Sequence, residues 1–143
     1  NPVIDSCSFG YNDASNGGGI SNHQSNPIIK NCNFSYNDAN QRGGAIYSID
    51  QSNANILKCS FNNNTADQGG VLNIENQSNT NIDSCMFRYN SARLGGAILN
   101  YSSAQTISNT EFISNNNKLG NTFYFVKEVL KSLNCLLSYL KYR

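Results

Sequence analysis

Apolar residues recur along this chain in short bursts set between Asn, Gly and Ser. Ile4, Ile29, Ile56, Ile82 and Ile107 follow one another in steps of 25, 27, 26 and 25 residues. Phe9, Phe34, Phe61, Phe87 and Phe112 keep the same steps, and so do Asn12, Asn37, Asn64, Asn90 and Asn115. A second apolar landmark runs Ile20, Ile46, Leu72, Ile98 and Phe123. The stretch "FNNNTADQGGVLNI" from Phe61 to Ile74 shows the skeleton: Phe, Asn three residues on, Ala two further, a Gly-Gly pair, then an aliphatic residue. The fifth copy is degraded, with Thr110, Asn117 and Gly120-Asn121 at the Cys, Ala and Gly-Gly positions.

Each unit holds two short apolar segments, close to I-x-x-C-x-F and G-G-A-I-x-x. Neither is long enough for a helix, and Asn and Gly are poor helix formers. Short apolar runs bounded by turn residues predict strands. A unit of 25–27 residues with two or three strands has no second face to bury itself against. Stacking successive units supplies one, so the pattern predicts a solenoid with strands in every coil, a parallel β-helix. Five coils at the inter-strand spacing of about 4.8 Å make a rod roughly 20–24 Å long. The Ile and Phe columns are expected inside, each buried side chain contributing about 1.5–3 kcal/mol. The three-residue step from Ile to Cys breaks strict alternation and predicts a bend or bulge. Asn is expected at the corner in the αL region, its amides stacked into a ladder. The Gly-Gly pair allows positive φ or close passage beneath the next coil.

From Phe123 the pattern changes. Phe125, Val126, Val129, Leu130, Leu133, Leu136, Leu137 and Leu140 fall at helical spacing, with Lys127, Lys131 and Lys141 mostly on other faces. This predicts an amphipathic helix that folds over the last coil as a cap. Docking on a membrane or a partner helix is the alternative.

The paired motif FxxN and GGA[I/L/V] resembles the repeats of the chlamydial polymorphic membrane proteins, with similar repeats in large surface proteins of some protists and archaea. "GGAI" stands intact at Gly43–Ile46 and Gly95–Ile98, and varies to "GGGI" at Gly17–Ile20 and "GGVL" at Gly69–Leu72. The resemblance covers roughly residues 3–125 and implies a right-handed β-helix on a cell surface, active in adhesion to cells. It departs from the bacterial members in having nothing that resembles their autotransporter barrel.

Charge changes the picture little. Only 13% of residues are charged and the net charge is +1, so no basic stripe points to nucleic acid. No stretch is long and apolar enough to span a bilayer, and no secretory signal opens the chain. The chain starts inside a repeat, which reads as a piece of a longer array. Cys7, Cys32, Cys59 and Cys85 share one column. Their periodicity favours buried free thiols, with one or two disulfides or a metal site as the weaker alternatives. Asn33, Asn63, Asn76 and Asn100 open N-x-S/T sequons, candidate glycosylation sites on the surface of a secreted protein.

β-Helices also carry polysaccharide lyases and hydrolases, whose sites gather carboxylates on one outward face. The best pair is Asp13 and Asp38 in adjacent coils, but the column continues with Thr65, Ser91 and Asn116, so both read as solvated turn residues. Asp5 and Asp83 share a column three coils apart, and Arg88 and Arg93 lie in the fourth coil. Tyr11, Tyr36 and Tyr89 form a partial row interrupted by Asn63, expected to pack onto the turn. The connections "SNHQSN", "SIDQSN", "NIENQSN" and "NYSSAQ" vary in sequence and are the expected contact loops.

The expectation is therefore an all-β right-handed parallel β-helix of about five coils over residues 1–122, with a helical cap over residues 123–143. The expected function is non-enzymatic, adhesion or rigid scaffolding outside the cell or at its surface. No catalytic, metal or cofactor residues are assigned. Expected partners are cell-surface glycans or proteins and neighbouring repeats of the same protein. The alternative is a carbohydrate-active β-helix enzyme or a sugar-binding module.

Overall fold

In the computed structural model the described residues are 1–117, 123–126 and 130–138. Their chain winds through parallel strands that return to the same three sheets in every coil. The first coil contributes β1 (Val3–Asp5), β2 (Ser8–Gly10), β3 (Asp13–Asn16) and β4 (Ile20–His23). The second repeats this as β5 (Ile28–Lys30), β6 (Asn33–Ser35), β7 (Asp38–Arg42) and β8 (Ile46–Ile49). The third is β9 (Asn55–Leu57), β10 (Ser60–Asn62), β11 (Thr65–Gln68) and β12 (Leu72–Ile74). The fourth is β13 (Thr80–Asp83), β14 (Met86–Arg88), β15 (Ser91–Leu94) and β16 (Ile98–Tyr101). A further turn begins with β17 (Gln105–Ile113) and β18 (Asn116–Asn117).

Pairing follows the columns read from the sequence. Ile4, Ile29, Ile56, Ile82 and Ile107 are successive Cα partners, as are Phe9, Phe34, Phe61, Phe87 and Phe112. The phenylalanine rings stack along the axis at centroid separations of 4.7–5.0 Å. Phe34, Phe61 and Phe87 are wholly buried, and Phe9 in the first described coil is partly buried against them. The extra residue of the second coil is absorbed by a register shift in β7, between the partners of Ala14 and Asn16.

All three corners of the coil carry positive φ at non-glycine residues, and the first two bear on the columns described above. Between the Ile and Cys positions stand Ser6, Asn31, Lys58, Ser84 and Asn109, at φ of 47–54° and 55° for Ser84. This is the bend that the three-residue step predicted. The next corner corrects the assignment of Asn to the αL position. The αL residues are Tyr11, Tyr36, Asn63, Tyr89 and Ser114, one before each ladder Asn. The chain turns at that residue, so the following Asn points inward. Asn37, Asn64 and Asn90 are wholly buried and form the expected amide ladder, Nδ2 of each donating to Oδ1 of the next at 2.8–3.0 Å.

The two glycines of each pair divide the expected tasks. Gly69 sits at φ 66°, whereas a Cβ on Gly70 would lie 2.2 Å from the Gly96 carbonyl oxygen of the next coil. One provides the turn and the other the close approach.

The tail differs from expectation. Instead of the helix predicted over residues 123–143, its described parts are β19 (Phe123–Val126) and β20 (Leu130–Ser138), paired in parallel with β16 and β17. The remainder of that range lies outside the described residues. Phe123 pairs with Ile98, Leu133 with Ile107, Cys135 with Thr110 and Leu137 with Phe112. Leu133 and Leu137 thus take the Ile and Phe positions of the register, while Leu130 and Leu136 pair with Gln105 and Glu111, and the register shifts disguise a strand as a helical repeat. A parallel edge with unmade backbone hydrogen bonds outweighs a few tenths of a kcal/mol per residue of helix propensity, about the size of that preference.

Candidate functional site

The third corner, which returns each coil from the third sheet to the first, differs from the variable loop expected there. It is instead a second set of ladders built on Gln-Ser-Asn: Gln24–Asn26, Gln51–Asn53 and Gln77–Asn79, then Ser102–Ala104 in the fourth coil. The serine turns inward. Ser52 and Ser78 are wholly buried, and the backbone N–H of Ser25, Ser52 and Ser78 donates to the Oγ of Ser52, Ser78 and Ser103 at 3.0–3.2 Å. The asparagine stays at the surface, where Oδ1 of Asn26, Asn53 and Asn79 accepts the N–H of the next coil at 2.8–2.9 Å. Variable flanks hide the recurrence, which the steps of 27 and 26 residues between successive glutamines would have exposed.

These ladders leave the glutamines facing outward. Gln24, Gln51, Gln77 and Ser102 occupy αL at φ 49°, 63°, 61° and 53°, and Asp50 and Asn76 just before them do so as well. Left-handed backbone at non-glycine residues costs about 1–2 kcal/mol each, and here it recurs in every coil. The corner encloses an open groove of about 750 Å³ along the rod, lined by Gln24, Asn26, Asp50, Gln51, Asn53, Asn76, Gln77 and Ser102. No hydrogen bond among the described residues uses the side-chain amides of the three glutamines. Asp50 is the one carboxylate in the lining. Asn76 Nδ2 donates to it at 2.8 Å and His23 Nε2 stands 2.9 Å away, and these contacts hold its pKa below the usual carboxylate value.

The predicted candidates fall elsewhere. Asp13 and Asp38 are Cα partners on β3 and β7, both exposed, and Thr65 Oγ1 donates to Asp38 Oδ1 at 2.6 Å. Asp5 is held by Asn31 and Lys30, Asp83 by Ser108 and Asn109, so neither joins that pair. Arg93 pairs with Asp67 at 2.7 Å, and Arg88 lies 3.9 Å from Glu111. Among the described residues no cluster of three or more His, Cys, Asp and Glu is placed to hold a metal ion.

Tyr11, Tyr36 and Tyr89 correct a second expectation. They do not pack onto the turn: they are 79%, 51% and 59% exposed, because the αL corner throws their side chains outward while the next residue turns in. Asn100 is also misjudged as a surface sequon, since it is wholly buried with Nδ2 donating to the Ser103 carbonyl at 2.7 Å. Cys32, Cys59 and Cys85 are buried free thiols, and Cys7 is free but exposed in the first coil. Burial pushes the Cys32 thiol above its ordinary pKa. On the outer face of the third sheet, Tyr47 donates to Glu75 at 3.2 Å beside Arg42. Its pKa is pushed up to about 12, first by burial and then by the Glu75 charge.

The family model for a right-handed β-helix region matches residues 1–133. The chain belongs to the right-handed β-helix family. No curated protein and no solved structure gives a significant match. Right-handed β-helices include both enzymes and non-enzymatic proteins, so membership defines the scaffold and leaves the chemistry to the residues it displays.

Proposed function

We propose that this β-helix is a non-enzymatic surface or secreted repeat protein that acts in adhesion by holding an extended glycan along the third corner. One observation carries the reading: Gln24, Gln51 and Gln77 line a groove with side-chain amides that the described protein does not use. A primary amide offers two donors and an acceptor, a match for neighbouring sugar hydroxyls. Repetition at about the inter-strand spacing of 4.8 Å suits a polymer with its own regular repeat. The buried serine ladder fixes the backbone beneath the groove, so little ordering entropy is lost on binding. The resemblance of the FxxN and GGAI repeats to those of chlamydial polymorphic membrane proteins supports adhesion, and with it an extracellular or cell-surface location.

The test is a broad glycan array and intact-cell binding with the purified chain, together with a polysaccharide-cleavage assay. Adhesion through the groove predicts binding without cleavage, weakened about tenfold or more when Gln51 and Gln77 are both changed to Ala, a loss near 1.4 kcal/mol. Cleavage that disappears in Asp13→Asn or Asp38→Asn would replace this reading with a carbohydrate-active enzyme. Binding that survives the double glutamine change would remove the groove from the account.

A further inference from the structure

The second corner has a tyrosine in coils one, two and four, and Asn63 in coil three. Tyr11 and Tyr36 stack with centroids 5.0 Å apart and planes 4° from parallel, so these rings stand across the rod axis. A stacked pair shows little aromatic face except at its ends. One end is the face of Tyr36 directed along the rod toward coil three.

Asn63 interrupts the row there without changing the corner. Its φ of 54° matches the 55° of Tyr36 and Tyr89. The short side chain therefore occupies the place of a ring, and Tyr36 and Tyr89 bracket it two coil steps apart, about 9.6 Å on the inter-strand spacing. Tyr36 remains 51% exposed although Tyr11 covers one of its faces, and Tyr89 is 59% exposed.

We propose that this gap is a binding slot for one pyranose ring of a glycan, held between Tyr36 and Tyr89 with Asn63 as its floor. Carbon atoms in contact sit about 3.5–4.0 Å apart, so a flat ring between two aromatic faces fills only about 7–8 Å. A sugar chair is thicker, and its axial C–H groups reach both faces across the remaining distance. Asn63 is held through its backbone N–H on the Arg88 carbonyl at 3.1 Å, and no hydrogen bond among the described residues uses its side-chain amide, leaving that amide to meet ring hydroxyls as donor and acceptor. Beside the floor, Thr65 and Asp38 are already bonded to each other, so the slot presents a neutral amide. This site lies at a different corner from the glutamine groove, and neither depends on the other.

The test uses the full chain produced in bacteria, where the Asn63 sequon stays unmodified. Methyl glycosides of glucose, galactose, mannose and N-acetylglucosamine are titrated at millimolar concentrations by calorimetry and by chemical-shift change, with p-cresol as the flat-ring control. At least one glycoside is expected to bind and to perturb Tyr36 and Tyr89, with p-cresol weaker. Asn63→Tyr continues a column the fold already builds in three coils, so it keeps the fold while closing the slot. It is expected to reduce sugar affinity at least tenfold, and Tyr89→Ala to do the same by removing a wall. Lys30→Ala, which removes only the exposed pair with Asp5 on the first sheet, is expected to leave these shifts unchanged. Full binding by Asn63→Tyr, preference for p-cresol, or silence from all four glycosides in the unmodified chain would each overturn the proposal.

Discussion

Replacing Asn64 by Ala removes one rung of a buried amide ladder, and the cost follows from the groups left behind. Asn64 Oδ1 accepts the Asn37 N–H at 3.1 Å and Asn37 Nδ2 at 2.9 Å. Its Nδ2 donates to the Phe34 carbonyl at 3.0 Å and to Asn90 Oδ1 at 3.0 Å. In the variant Asn37 Nδ2 keeps the Phe9 carbonyl, and Asn90 Oδ1 keeps the backbone N–H of residue 64. The Asn37 N–H and the Phe34 carbonyl lose this partner inside a dry core. Each buried polar group left without a partner costs about 1–3 kcal/mol, so a loss of about 3–5 kcal/mol is expected. Asn12 supplies the control. It makes the same contact to Asn37 Oδ1, at 2.7 Å, but is exposed in the first coil, where water replaces what Ala removes. Asn12→Ala should cost less than about 1 kcal/mol. Urea unfolding followed by circular dichroism and tyrosine fluorescence measures both, provided the two probes give coincident transitions. A loss for Asn64→Ala within about 1 kcal/mol of that for Asn12→Ala would refute the argument that the ladder's value comes from burial.

Phe61→Ala should cost about 3–5 kcal/mol in the same assay, because the ring is wholly buried between Phe34 and Phe87; less than about 1 kcal/mol would contradict its place in the core. Gly70→Ala should prevent folding or cost more than any surface change, since its Cβ would meet the Gly96 and Ser91 carbonyl oxygens at 2.2 and 2.7 Å; a native circular dichroism spectrum with an unchanged urea midpoint would contradict this. Asp83 has its pKa lowered from 3.8 by hydrogen bonds from Ser108, Asn109 and Ser84. Its contribution to stability is therefore present above the unfolded pKa and lost as pH falls through the lower folded value. Stability curves of Asp83→Asn and the unmodified chain should accordingly converge in acid below about pH 4, and curves that stay parallel there would dismiss the effect.

The Ile and Phe columns were legible because a register slip of one residue would turn a buried side chain to solvent, so the spacing carries the pairing directly. The amide ladder was legible for the same reason, although the αL residue beside it was misplaced by one. Asn and Tyr both stand at that corner, and composition favours Asn for left-handed backbone; here the inward Asn forces its neighbour to turn. The glutamine groove was hidden because its recurring Gln-Ser-Asn lies between flanks that vary, and the residue it turns inward is a small Ser rather than an apolar side chain. The tail was misread because Leu130, Leu133 and Leu137 satisfy a helical spacing, while an irregular strand against an open sheet edge satisfies the same letters. Local preference cannot see that edge.

The asparagine ladder also gives the rod an electrical direction. Along Asn12, Asn37, Asn64 and Asn90 each amide Nδ2–H donates a hydrogen bond to the Oδ1 of the coil that follows. Parallel sheets add little to a net dipole, since backbone N–H and C=O groups alternate along each strand. The stacked side-chain amides do not alternate, and every C=O in the column is directed toward the earlier coil. Their dipoles sum, and each bond polarises the next. This column makes the two ends of the solenoid electrostatically unlike, the early end negative and the late end positive, so two such rods laid end to end are favoured head to tail.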